Sequence, residues 1–143
     1  MKTFKTLFFF LILATMSSCG VGEAEDLGEE FHKKLDSKDY DYIVNNMIDS
    51  EALAVTSKDA WFALFTDMQA NWGTPVKREK DTGFKSNYNN GITNVQLDYT
   101  LTYDSKIIYE RIFFADRGDG FKITGLFLNE DKDDLHEQAG ELN

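Results

Sequence analysis

The stretch Val95-Gln96-Leu97-Asp98-Tyr99-Thr100-Leu101-Thr102-Tyr103 decides the fold. Its apolar residues fall on every second position, with Gln96, Asp98, Thr100 and Thr102 between them. Side chains of a strand alternate between faces, so this is a strand with one dry face. A two-residue turn at Asp104-Ser105 sets the next strand against it. That register places Leu101 opposite Ile108, Tyr99 opposite Glu110, Leu97 opposite Ile112 and Val95 opposite Phe114. On the other face it places Asp98 opposite Arg111, a complementary pair.

Moving outward, a four-residue loop from Asp116 to Asp119 brings back one more strand. It predicts Phe114 opposite Phe121, Ile112 opposite Ile123, Glu110 opposite Gly125 and Ile108 opposite Phe127. A one-residue slip would invert every face. Upstream, Asn90-Gly91 is a hairpin turn signal, so residues 76–81 and 84–88 form a first strand or a short hairpin. The sheet therefore has about four antiparallel strands.

Before Pro75 the period changes from two to that of a helix. Trp61, Leu64, Phe65, Met68 and Trp72 form one stripe, opened by Thr56 with Asp59 as a capping box and closed by Gly73 and Pro75. Leu53 and Val55 bridge back to Tyr40, Ile43, Val44, Met47 and Ile48, a second helix with Asp39 as its cap. Leu27, Phe31 and Leu35 mark a first helix. Three helices followed by an antiparallel meander make an α+β order. Gly20 to Asp26 reads as a polar tether. The tail, residues 129–143, has six acidic residues with Leu135 and Leu142 as its large apolar ones, and reads as mostly disordered, with a last helical turn or two as the alternative.

The N-terminus has a different character. Lys2 and Lys5 precede the apolar run Leu7 to Met16, and small residues close it at Ser17-Ser18-Cys19. This is the layout of a secretory signal peptide. Ten residues rise only about 15 Å as a helix, roughly half a bilayer core. Met16-Ser17-Ser18-Cys19 resembles the lipobox of bacterial lipoproteins. The resemblance implies a thiol carrying a diacylglyceryl group, cleavage after Ser18 and acylation of the new amine. Gly20 after the cysteine carries no inner-membrane retention signal, so an outer-membrane location is expected in a two-membrane bacterium. The divisions expected are a signal peptide over 1–18, a lipidated tether over 19–26, the domain over 27–128 and the tail.

Cys19 is the only cysteine, which excludes an intramolecular disulfide. Formal charge is −10, and loss of Lys2 and Lys5 with the leader takes it to −12. Such a balance argues against nucleic acid, whose phosphates need Lys and Arg. It also leaves the lipid on Cys19 as the means of membrane attachment.

The mature region resembles the nuclear-transport-factor-2-like, or cystatin-like, domains, and among them small bacterial envelope proteins of unknown function. The likeness spans roughly residues 25–128. It rests on Asp39-Tyr40, Thr56-Ser57-Lys58-Asp59-Ala60-Trp61, Trp72-Gly73, Tyr109-Glu110-Arg111-Ile112 and Phe121-Lys122-Ile123-Thr124-Gly125. It implies a cone, with a curved sheet wrapped round the first helix and a pocket at one open end. Such a fold supports many functions.

Within that register Glu110 lies on the dry face beside Tyr99 and across from Gly125, a candidate pocket acid or ligand anchor. The alternative is a structural carboxylate, with Gly125 there for close packing. A small-pocket isomerase or dehydratase would use Glu110 and Tyr99. It would want a second acid or a histidine, and His32 lies at a helix edge while His136 lies in the tail. No triad, metal-spaced cluster or phosphate loop appears, so neither cofactor nor metal is expected. Arg117-Gly118-Asp119 resembles an integrin-binding tripeptide, but the Gly and Asp residues are what a tight hairpin needs, which is the preferred reading. Ile107, Tyr109 and Phe113 give the outer sheet face a half-apolar character. That suggests a homodimer, an envelope-protein partner, or cover from the chain itself. The expected role is a non-catalytic ligand-binding or assembly module, with the enzyme and a purely structural envelope protein as alternatives.

Overall fold

The computed structural model describes residues 19–142. The expected signal peptide lies outside them. An α+β architecture is observed, with a curved sheet of four antiparallel strands in the order β1-β2-β3-β4 and five helices. α1 is Cys19–Asp36 and α2 is Tyr40–Tyr42, running into a π-helical stretch Ile43–Met47. α3 is Ser50–Val55 and α4 is Lys58–Trp72. The strands are β1 Lys77–Asn89, β2 Ile92–Thr102, β3 Ile107–Asp116 and β4 Phe121–Asn129, and α5 is Lys132–Ala139.

Among the described residues four helices, not three, precede the sheet. The extra one is α3, where Leu53 and Val55 read only as a bridge. Asp49 caps it by accepting from Glu51 N–H at 2.8 Å. Thr56 N–H closes α3 on Ala52 C=O, so the cap of α4 moves one place on. There Ser57 Oγ accepts from Ala60 N–H at 3.2 Å. Asp39 gives no side-chain cap to α2; its carboxylate is 2.7 Å from Lys34 Nζ.

The tether reading is corrected. α1 begins at Cys19, and its buried stripe runs back from Leu35 and Phe31 through Gly28 and Ala24 to half-buried Val21. That spacing is helical throughout, but the upstream members are small because the helix lies close to the sheet. A Cβ on Gly20 would already be in contact with the Phe121 ring.

The β2–β3 register is the one expected, including Tyr99 opposite Glu110 and Asp98 opposite Arg111. Asn90 and Gly91 both adopt positive φ, as the β1–β2 turn requires. β1 is one strand, irregular between Lys80 and Phe84. The β3–β4 register differs. Asp116 pairs with Phe121, and its Oδ1 accepts from the N–H groups of Gly118 and Gly120, so the loop lies one residue later than expected. A bulge then shifts the pairing between Phe113 and Phe114. Phe114 consequently faces Ile123, Ile112 faces Leu126, Glu110 faces Leu128 and Gly125 faces Phe113. The inserted residue lets Phe121 and Ile123 on one side of it, and Leu126 and Leu128 on the other, all join the core.

The tail is also ordered. Asp131 accepts from Asp133 N–H and Asp134 N–H to start α5, and acidic residues suit that end of a helix. Leu135 is buried against the outer sheet face. Leu142 N–H donates to Gln96 Oε1 at 3.1 Å. Leu135→Ala is expected to cost about 2–3 kcal/mol by urea denaturation. A change under about half a kcal/mol, the usual range for surface positions, would mean the tail does not pack.

Candidate functional site

Glu110 projects from the middle of β3 into the space beneath α1. It is fully buried, and its Oε2 lies 2.6 Å from Nε2 of His32, one helical turn beyond Gly28. The His32 ring meets Tyr99 edge-on at 4.7 Å and Phe31 at 5.4 Å. The other oxygen, Glu110 Oε1, is buried without a hydrogen-bond partner in the structure. The structure thus brings Glu110 and Tyr99 together as expected and adds His32, which the sequence placed only at a helix edge. It separates Gly125 from them. Gly125 lies under the T-shaped pair of Phe113 and Phe127, where a Cβ would stand 3.2 Å from one ring and 3.4 Å from the other.

Burial pushes the Tyr99 hydroxyl well above the ordinary tyrosine value, and the charge of Glu110 adds to it. The same two causes raise Tyr103 to about 12. Both hydroxyls remain protonated in the fold while the unfolded chain ionises near pH 10. Their contribution is therefore complete below pH 10 and is lost as pH rises through the folded values. Stability should fall from pH 10 to 12, and a Tyr99→Phe, Tyr103→Phe double variant should flatten that fall. An unchanged alkaline slope in the double variant would refute the assignment.

The gap beside His32, Leu101 and Tyr103 is about 10 Å³, at most the room for one water. Leu35, Met68 and Pro75 complete its apolar walls. What the pair can do is join α1 to β3. Removing His32 leaves Glu110 buried with neither oxygen satisfied, so His32→Ala should cost about 3 kcal/mol, the scale of a broken buried pair. A His32→Leu, Glu110→Leu double variant should recover much of it. If the double variant is as unstable as the single one, packing rather than the bond is responsible.

Arg111 is the second buried charged group of β3, on the outer face. Its Nε and Nη2 donate to the two oxygens of Asp98 at 2.8 and 2.7 Å, and Nη1 donates to Gly140 C=O. Nη2 also lies 3.0 Å from His136 Nδ1. α5 therefore covers the centre of the face proposed for partners. Of its three candidates, Ile107 is 46% exposed, while Tyr109 and Phe113 are half-buried. Arg117 of the integrin-like tripeptide is held by Asp49 at 3.2 Å and Glu51 at 2.7 Å.

A groove that the sequence did not suggest lies between α3, α4 and β4. Its volume is about 510 Å³, and it is lined by Ala52, Val55, Trp61, Leu64, Leu126 and Phe127, with Asp49, Glu51 and Arg117 at one end. Its one signal was the uncharged run Ile123 to Leu128. A more polar depression of about 550 Å³ lies by Asp81, Lys85, Gln96 and Asp98. Among the described residues no cluster of His, Cys, Asp or Glu could hold a metal ion, and no helix is long and apolar enough to cross a membrane.

Comparison with known protein families, with curated proteins and with solved structures finds no match to this chain.

Proposed function

We propose that this chain is a lipid-anchored domain of a bacterial cell envelope that works as a non-catalytic binding or assembly module. The observation that carries the non-catalytic part is the burial of Glu110: the best candidate acid is fully buried and bonded to His32, and the gap on the His32 side is only about 10 Å³. A small-pocket enzyme of the isomerase or dehydratase kind would need that space open. The strand order and the helix lying across the curved sheet are compatible with the cone-shaped, nuclear-transport-factor-2-like reading, with the cone filled by side chains.

The anchor is argued from Met16-Ser17-Ser18-Cys19 and the apolar run before it. Because the chain is already helical from Cys19 onward, a lipid there would hold the domain close to the membrane surface with little spacer. Two or three acyl chains give stable attachment where one does not. A structural role through dimerisation of the outer sheet face is less favoured, since α5 lies over it.

Expression in a bacterium that processes lipoproteins, followed by mass spectrometry of the mature protein, tests the anchor. The expected species begins at Cys19 and carries a diacylglyceryl thioether, while Cys19→Ser leaves an unlipidated protein. A mature chain with an unmodified Cys19 would remove the proposal.

A further inference from the structure

β4 is an edge strand with one bonded side and one open side. β3 pairs along the first. On the second, the described contacts are the parallel bridge of Ile48 to Ile123 and the bond from Asp49 N–H to Ile123 C=O at 2.8 Å. Bonding alternates along an antiparallel ladder, and here the Tyr103 N–H to Lys106 C=O bond fixes its phase. Tyr109, Arg111 and Phe113 then bond toward β4, to Asn129, Phe127 and Gly125. The N–H and C=O groups of Leu126 and Leu128 are left facing the open side. Among the described residues no backbone group bonds them.

Natural edges are usually blunted by Lys, Pro, bulges or cover. Residues 123–128, Ile-Thr-Gly-Leu-Phe-Leu, contain neither charge nor proline. Their one bulge lies at the end already bridged by Ile48. The apolar groove runs beside this edge, with Val55 at 90% exposure on it. Trp61 lines the same groove, and its Nε1–H has no acceptor in the structure. At the bridged end two carboxylates, Asp49 and Glu51, share the single guanidinium of Arg117.

We propose that the open edge of β4 takes an extended peptide as a fifth strand, its apolar side chains entering the groove between Trp61 and Phe127 and a basic residue lying toward Asp49 and Glu51. Backbone bonds to Leu126 and Leu128 supply affinity, and alternate side chains supply selectivity. The excess negative charge of the chain favours a basic partner. This names the partner of the binding module proposed above and rests on that reading, but uses nothing of the anchor.

The test is selection of a displayed library of random peptides, about twelve residues long, enough to span a strand, on the full chain. Ala60→Arg is the control, since exposed Ala60 lines the groove and takes no part in the core. Enriched peptides should alternate apolar and polar residues and carry Lys or Arg near one end. They should bind the control about tenfold more weakly, the scale of a blocked contact, at an unchanged melting temperature. They should also slow amide exchange at Leu126 and Leu128 while leaving Gly125 and Phe127 as they were. No enrichment over the control, or slowing confined to other amides, overturns the proposal. Concentration-dependent slowing at Leu126 and Leu128 without peptide assigns the edge to a second copy and also overturns it. Cys19→Ser should bind the selected peptides equally, so loss of the anchor and loss of the peptide site are read separately.

Discussion

The approach of α1 to the sheet governs the rest of the structure. A Cβ on Gly28 would lie 2.6 Å from the Tyr99 hydroxyl, so any larger residue there would force the tyrosine side chain or the helix to shift. With the helix at that height, His32 reaches Glu110 on β3 across 78 positions of sequence. The following turn brings Asp36 to Arg78 of β1, a two-point contact at 2.7 and 2.5 Å. One helix thus touches three strands through one glycine, one histidine and one aspartate. Phe31, on the same stretch, packs against Phe65 of α4 at 5.9 Å, which carries the constraint into the helical layer. A buried polar pair of this kind is weak evidence for added stability. Its effect here is positional, because an axial slip of α1 would leave a carboxylate buried without its partner.

The parts of the fold legible in the sequence are those that depend on period and turn length alone. The β2–β3 register follows from strict alternation and a two-residue turn, and ten paired positions agree with it. The β3–β4 register required two further facts, a loop lying one residue later and the bulge at Thr124. The trace of the bulge was present as a change of parity, from Phe121 and Ile123 to Leu126 and Leu128. The upstream half of α1 was hidden for a different reason. Ala24 and Gly28 bring little apolar area, so the stripe fades just where backbone proximity rather than side-chain burial is the contact.

Charge misled where it was read as a composition instead of as positions. The acids of the tail read as solvating and disordering, yet Asp131 caps α5 and Glu141 pairs with Lys85. That hydrogen bond from Lys85 holds the Glu141 carboxyl below the ordinary value. The cation that organises this region is Arg111, which the sequence paired correctly with Asp98 but could not show to be buried beneath a later helix. Glu110 illustrates the same limit. Its place on the dry face was readable, whereas its partner came from the one histidine that periodicity set at a helix edge.

With α1 and α4 on the inner face and α5 over the centre of the outer one, the two edges of the sheet remain for recognition, and they differ. β1 opens with Lys77-Arg78-Glu79-Lys80-Asp81 and then breaks register before Phe84. Charge and irregularity together make it a poor template for another strand. β4 carries the opposite pattern, an uncharged run with aligned open backbone groups beyond its bulge and an apolar groove alongside. A strand so exposed invites unselective pairing with other chains unless something limits access to it. Here α3 and α4 form one wall of that access, and the Asp49, Glu51 and Arg117 cluster forms its end. An incoming strand must therefore satisfy both a backbone register and a charged terminus, which separates a specific partner from general aggregation.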